Sequence, residues 1–148
     1  MSKRYYLWLA VAALFLSFQA EASAQGNIEK ILEKFHDANS EYVMVAAHRA
    51  SHKEHPENSI SAIKHAIELG VDIVELDVKT TRDGIPVLMH DGTVDRTTNG
   101  KGKLEDNTLS ELKRLRLKKP DGSLSDETIP TFEEALRLIH GNIMVDID

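Results

Sequence analysis

Three observations predict an α/β fold of parallel strands covered by helices. Short β-patterned runs alternate with amphipathic helical stretches. Each run carries one wholly apolar face, as a strand packed under helices requires. The opposite, mixed faces turn polar only at the C-terminal ends of the runs. That last feature is the layout of a TIM-type (β/α) barrel, whose working residues sit inward at those strand ends. Such a barrel takes about 250 residues and few run below about 200. With 148 residues, this chain is expected to hold only the first part of one.

The N-terminus reads as a leader. Lys3 and Arg4 precede an apolar run from Leu7 to Phe18, and Ala22-Ser23-Ala24 follows as a small-x-small cleavage pattern. This is the three-part layout of a signal peptide over residues 1–24, giving a mature chain that starts at Gln25 and is exported to the periplasm or secreted. The run is short of the roughly 20 apolar residues that a membrane span needs, so no stable span is expected after cleavage. There is no cysteine and the formal net charge is −6. The absence of cysteine excludes disulfides and thiolate zinc sites, and the acidic balance argues against a general nucleic-acid binder.

Along the mature chain, Ile28, Ile31, Leu32 and Phe35 recur at helical spacing and predict a helix from Asn27 to His36. Tyr42 to Ala47 reads as a buried strand, followed by the polar loop HRASHKEHPEN. Asn58 or Ser59 caps a helix whose apolar face is Ile60, Ile63 and Ile67 and which Gly70 closes. A strand from Ile73 to Val78 completes a βαβ unit, which implies parallel pairing and a right-handed crossover. Asp83-Gly84 then signals a two-residue hairpin turn. That turn would set Asp77 opposite His90 and Thr80 opposite Val87, with Pro86 on an edge strand.

From Thr93 to Pro130 the chain is rich in loop breakers, with a short helix beginning at Thr108. Pro130-Thr131 opens a further helix bearing Phe132, Ala135, Leu136 and Ile139, which Gly141 stops. Ile143 to Asp148 alternates as a last strand.

Alternation places the polar strand ends on shared faces. Met44, Ala46 and His48 form one; Ile73, Glu75 and Asp77 the second; Met144, Asp146 and Asp148 the third. Taken singly, a histidine at a strand end is most often structural, and carboxylates on an edge are often merely solvated. Together they form a costly concentration of like charge, which a divalent cation would offset. Carboxylate oxygens suit hard Mg²⁺ or Ca²⁺. His36, His55, His65 and His140 have no comparable company and read as structural or solvated.

Four stretches in order, AHRASHKEHPENSISAI, GVDIVELDVKTTRDGIPVLMHD, VDRTTNGKGKLEDNTLSEL and IPTFEEAL, resemble the glycerophosphodiester phosphodiesterases over about residues 43–148. The resemblance implies a metal-dependent TIM barrel that splits a small-molecule glycerophosphodiester into an alcohol and glycerol 3-phosphate. It implies His48 and His90 as the catalytic acid and base, and Arg49 as the phosphate-binding residue. Glu75, Asp77 and Asp148 become the metal ligands, and residues 93–130 the insertion characteristic of the family. It also implies that a neighbouring glycerol hydroxyl attacks first, giving a cyclic phosphate. In two places the sequence departs from the family pattern. Ala50 stands where the family usually has glycine, and Asp148 stands where it has the longer glutamate. The lysine that the pattern places two residues later lies beyond Asp148. Two other readings share these residues: a phosphodiesterase acting on another phospholipid head group, and a catalytically inactive module that binds metal or phosphate.

Overall fold

The structure is a computed structural model that describes residues 27–148. The expected leader, residues 1–24, lies outside the described residues. Helix α1 covers residues 27–36, as its apolar spacing predicts. The other elements are strand β1 (Ala46–Ala47), helix α2 (Ile60–Glu68), strands β2 (Ile73–Leu76), β3 (Val78–Thr80) and β4 (Pro86–Leu88), a 3₁₀ turn (Leu104–Asp106), helices α3 (Leu109–Leu112) and α4 (Phe132–Ile139), and strand β5 (Met144–Ile147).

β1, β2 and β5 form a parallel sheet with β2 in the middle. Its centre is buried because α2 and α4 cover one face. Val74 and Leu76 of β2 meet Ala62 and Ile63 of α2 and Ala135 and Ile139 of α4 in one apolar cluster. Removing each such β2 side chain from water contributes roughly 2 kcal/mol. Both helices start at side-chain caps. Ser59 Oγ accepts from the Ala62 amide, and Thr131 forms a reciprocal capping box with Glu134. These satisfy amide groups that the first helical turn leaves without partners.

The first strand is shorter and more exposed than its composition suggests. Only Ala46 and Ala47 pair with β2, and Val43 and Val45 are 80% and 51% exposed. Just before the paired residues, Asp72 holds the chain. The Asp72 carboxylate accepts from the Val45 amide and the Tyr42 hydroxyl, while the Val45 carbonyl accepts from the Asp72 and Ile73 amides. β1 is one of the two edge strands of this sheet, so no described strand pairs with its far side.

The hairpin register differs by one residue from the expected one. Val78 pairs with Leu88 and Thr80 with Pro86, so the next step sets Asp77 against Met89, whose amide donates to the Asp77 carbonyl at 3.0 Å. The turn has three residues, Arg82 to Gly84, rather than two. Gly84 has φ +80°, and its amide donates to the Thr81 carbonyl. Glycine takes that left-handed position in the three-residue hairpin loop, which ends in a bulge. A one-residue slip turns side chains to the opposite face. Leu88 therefore joins the sheet–helix core, whereas Val87 and Met89 join a second core with Val94, Leu104, Leu112, Leu117 and Ile129. That second core anchors the loop-rich segment, which is otherwise held by isolated bridges such as Thr98–Leu117 and Lys118–Leu124.

Candidate active site

The parallel registers explain why the carboxylates converge. β1 and β2 align Ala47 with Val74, which makes His48 and Glu75 the next pair; β2 and β5 align Leu76 with Ile147, which makes Asp77 and Asp148 the next. Neighbouring strands lie about 4.8 Å apart, and residues two apart on one strand share a face. Glu75, Asp77 and Asp148 accordingly present ligand oxygens within 4.8 Å of one another. The backbone continues this order past the strand ends: the Asp148 amide donates to the Leu76 carbonyl and the Val78 amide to the Asp148 carbonyl. Aspartate at position 148 is thus long enough to join the cluster.

Each ordered carboxylate has one oxygen committed to the protein. Glu75 Oε2 accepts from the Arg49 amide at 2.7 Å, and Asp77 Oδ2 accepts from Asn58 Nδ2 at 2.7 Å. Among the described residues, Glu75 Oε1 and Asp77 Oδ1 receive no hydrogen bond, and Asp148 receives none at its side chain. Free oxygens of three carboxylates in one place form a hard, anionic donor set, which fits a divalent cation of the Mg²⁺ or Ca²⁺ type.

The loop between β1 and α2 supplies the positive side. Arg49 (φ +51°), Ala50 (φ +62°) and Asn58 (φ +54°) all adopt left-handed backbone conformations. Ala50 thereby takes the kind of conformation for which glycine is usually chosen. Its amide donates to the Glu75 carbonyl, and its methyl is 2% exposed. The left-handed bend turns the Arg49 guanidinium towards the carboxylates. Arg49 Nη1 reaches Glu57 Oε1 at 3.3 Å, while Nε lies 3.7 Å from Asp77 Oδ2. Arg49 Nε is buried and has no hydrogen-bond partner among the described residues. A buried donor left without a partner is costly.

His90 lies just beyond β4, past Asp77 rather than opposite it, because of the hairpin register. Its Nδ1 is 2.7 Å from Asp91 Oδ1. Asp91 in turn is gripped by Arg96, which also forks onto both oxygens of Glu57 at 2.7 and 2.8 Å. A continuous polar chain therefore runs His90–Asp91–Arg96–Glu57–Arg49. The Arg96 hydrogen bond above all, then that of His90 and the two cationic charges, holds the Asp91 carboxyl well below the usual range against a raising effect of burial. Burial alone would raise Glu57, but the hydrogen bonds and charges of Arg96 and Arg49 outweigh it and lower its pKa. The His48 side chain is exposed, and its ring sits 6.1 Å from that of His52. No hydrogen bond joins His48 to His90 among the described residues.

Three supporting residues escaped the sequence reading. Of the two cap candidates, Ser59 caps α2, while Asn58 braces Asp77. Glu57 and Arg96 stood inside motifs without an assigned role. The PEN tripeptide directly before a helix cap was the available signal for the first two; nothing in spacing alone pairs Glu57 with Arg96, 39 positions away.

Residues 48–148 match the model of the glycerophosphoryl diester phosphodiesterase family. The chain belongs to that family. It is 50% identical over 97 residues to a glycerophosphodiester phosphodiesterase of Caldanaerobacter subterraneus, covering 65% of this chain and 40% of the relative. Human glycerophosphodiester phosphodiesterase 1 is 42% identical over 113 residues, covering 72% of this chain and 33% of the relative. Among solved structures, a glycerophosphoryl diester phosphodiesterase of Parabacteroides distasonis superposes with a TM-score of 0.74 at 34% identity, over 82% of this chain and 43% of that one. An Oleispira antarctica phosphodiesterase, solved in complex with the product sn-glycerol-3-phosphate, superposes with a TM-score of 0.64 at 35% identity, over 71% of this chain and 43% of that one. The chain thus spans less than half the length of these relatives. The fold is α/β of the TIM-barrel type, and the described sheet is a portion of it.

Proposed function

We propose that the protein hydrolyses glycerophosphodiesters to an alcohol and glycerol 3-phosphate with the help of a divalent cation, Mg²⁺ or Ca²⁺. The observation that carries this reading is the convergence of Glu75, Asp77 and Asp148 beside a buried arginine nitrogen with no partner. A phosphodiester is a bridging anion that uses both halves: oxygen donors hold the cation, and the guanidinium donates to a phosphoryl oxygen. When bound, the cation supplies positive charge against the oxygens that gain negative charge as phosphorus becomes five-coordinate. Arg49 fixes the phosphate and gains strength as that charge grows, which favours the transition state over the ground state. His48 and His90 act as general acid and base on the alcohol oxygens. Asp91, accepting from Nδ1 of His90, leaves Nε2 as the nitrogen that exchanges the proton.

In the full-length protein, glycerophosphocholine with Mg²⁺ or Ca²⁺ should yield choline and glycerol 3-phosphate. Glu75→Gln and Asp77→Asn should each weaken metal binding in a direct titration and abolish turnover. Unchanged metal affinity in both variants would remove the site from consideration. Metal binding without hydrolysis of any diester would favour an inactive binding module instead.

Export to the periplasm or medium is part of the proposal and is supported by Lys3-Arg4, the apolar run and Ala22-Ser23-Ala24. N-terminal sequencing of the mature protein should begin at Gln25, or be blocked if that residue cyclises. No described helix is long and apolar enough to cross a membrane.

A further inference from the structure

Next to the candidate active site lies a cleft of about 210 Å³. His52 and Glu57 of the β1–α2 loop line one side, and Arg96, Lys118 and Lys119 of the loop-rich segment line the other. It adjoins the phosphate-binding arginine through a shared side chain, because Glu57 contacts Arg49 as well as Arg96. It adjoins His48 through His52, whose Nδ1 lies 2.8 Å from the His48 carbonyl and 3.2 Å from that of Ala50.

The charges in the cleft do not cancel. Arg96 is matched by Glu57 and Asp91, which leaves the two lysines. Lys118 Nζ donates to the backbone carbonyl of Asp95, a neutral acceptor, and Lys119 takes part in no ion pair among the described residues. The nearest acid on that turn, Asp121, accepts from the Ser123 amide and hydroxyl through Oδ1, feels the charge of Lys119 and does not line the cleft. The lysines are also held in place. The Lys118 amide donates to the Thr97 carbonyl, and a tight turn closes between the Lys119 carbonyl and the Gly122 amide, with Gly122 at φ +84°. In a chain of net charge −6 this is a local positive surface.

His52 adds a second chemical preference. Carbonyl oxygens only accept, so Nδ1 carries the proton and Nε2 of the neutral ring is an acceptor. An acceptor beside two ammonium groups suits a hydroxyl-bearing anion.

We propose that this cleft binds the leaving-group half of the substrate and selects an anionic polyol, the class of a polyol phosphate, over a cationic alcohol. The proposal rests on the phosphodiesterase reading above. It makes Lys118, Lys119 and His52 specificity-determining residues contributed around the two rims of the cleft.

The test uses the full-length protein and three diesters that differ in leaving-group charge: bis(glycerophospho)glycerol (anionic), glycerophosphoglycerol (neutral) and glycerophosphocholine (cationic). At low salt kcat/KM should fall in that order. Lys118→Ala combined with Lys119→Ala should reduce the anionic-to-cationic ratio by about tenfold, the scale of two partly exposed charge contacts. Equal kcat/KM for the three diesters, or a ratio unchanged by the double variant, overturns the proposal. A second measurement needs no turnover. Inorganic phosphate titrated into metal-free protein should shift the His52 ring resonances, and the double variant should weaken that response about tenfold. If no diester is hydrolysed but this lysine-dependent response is present, the cleft stands as an anion site and the activity reading falls. If the response is absent, or identical in the variant, the cleft proposal falls whatever the enzyme hydrolyses.

Discussion

Asn58 and Asp77 are joined by two reciprocal hydrogen bonds across the loop–strand junction. Asn58 Nδ2 donates to Asp77 Oδ2 at 2.7 Å, and the Asp77 amide donates to Asn58 Oδ1 at 3.2 Å. Both residues are nearly sealed from solvent, at 2% and 4% exposure. The amide thus orients one carboxylate oxygen and leaves the other facing Glu75 and Asp148.

This brace predicts a graded response. Asn58→Gly keeps the left-handed backbone at φ +54° but deletes both side-chain bonds. It should weaken divalent-metal affinity by about 10–100-fold, the usual cost of losing a group that orients a ligand. Asn58→Asp replaces the donor with a second buried carboxylate and should destabilise the apo protein by about 2–4 kcal/mol in urea unfolding. An Asn58→Asp variant as stable as the parent would show that the brace contributes nothing.

Ala50 gives a prediction about backbone strain. An alanine held at φ +62° costs about 1 kcal/mol relative to glycine. Ala50→Gly relieves that strain, but it removes a buried methyl and loosens the unfolded chain, so stability should change by less than about 1 kcal/mol. Ala50→Val puts a β-branched residue in a conformation it rarely adopts and crowds a position that is 2% exposed. It should cost about 2–4 kcal/mol. Equal urea midpoints for the glycine and valine variants would contradict the left-handed assignment.

Periodicity made the layering and the convergence of Glu75, Asp77 and Asp148 readable from sequence, because strand alternation and parallel pairing leave few arrangements open. The helix starts near Thr108 and Thr131 were readable from the local residue pattern, and the structure makes both threonines capping-box residues. The hairpin register was not. Asp83-Gly84 serves both two-residue and three-residue turns, and the choice fell to Thr81, whose hydroxyl bonds Asp83 and the Ile85 amide. The exposure of Val43 and Val45 was not readable either, since the apolar pattern does not show that only Ala46 and Ala47 pair with β2. The Glu57–Arg96 contact depends on how the loop-rich segment folds back, and no local pattern encodes that.

Arg96 predicts an acid-stability change. Glu57 and Asp91 both have carboxyl pKa values below their ordinary ones of 4.5 and 3.8. A carboxyl with a depressed folded-state pKa contributes stability that is fully present above its unfolded pKa and is lost as pH falls through the folded value. Arg96→Met removes the fork from both acids, so the burial of Glu57 would then act unopposed by Arg96. The variant should therefore be less stable than the parent near neutral pH, and the difference should shrink as pH falls below about 4.5, where the parent's two carboxylates take up protons. Coincident acid-unfolding curves would show that the network is not coupled to folding.

Asp91 predicts the clearest separation of positioning from folding. Its Oδ1 is 2.7 Å from His90 Nδ1, and Arg96 holds the carboxylate from the other side. Asp91→Asn is nearly isosteric, but the amide can turn its NH₂ towards Nδ1 and so favour the opposite imidazole tautomer, in which Nε2 carries the proton. In the proposed reaction, His90 would then present the wrong nitrogen for proton exchange with the substrate. Turnover of glycerophosphocholine by the full-length protein should fall on the order of 10²-fold, with KM changed far less, because the phosphate and metal contacts are untouched. Proton-detected NMR of the His90 ring should show the tautomer change directly. A variant with the parent's tautomer and the parent's kcat would mean that Asp91 serves only to anchor Arg96.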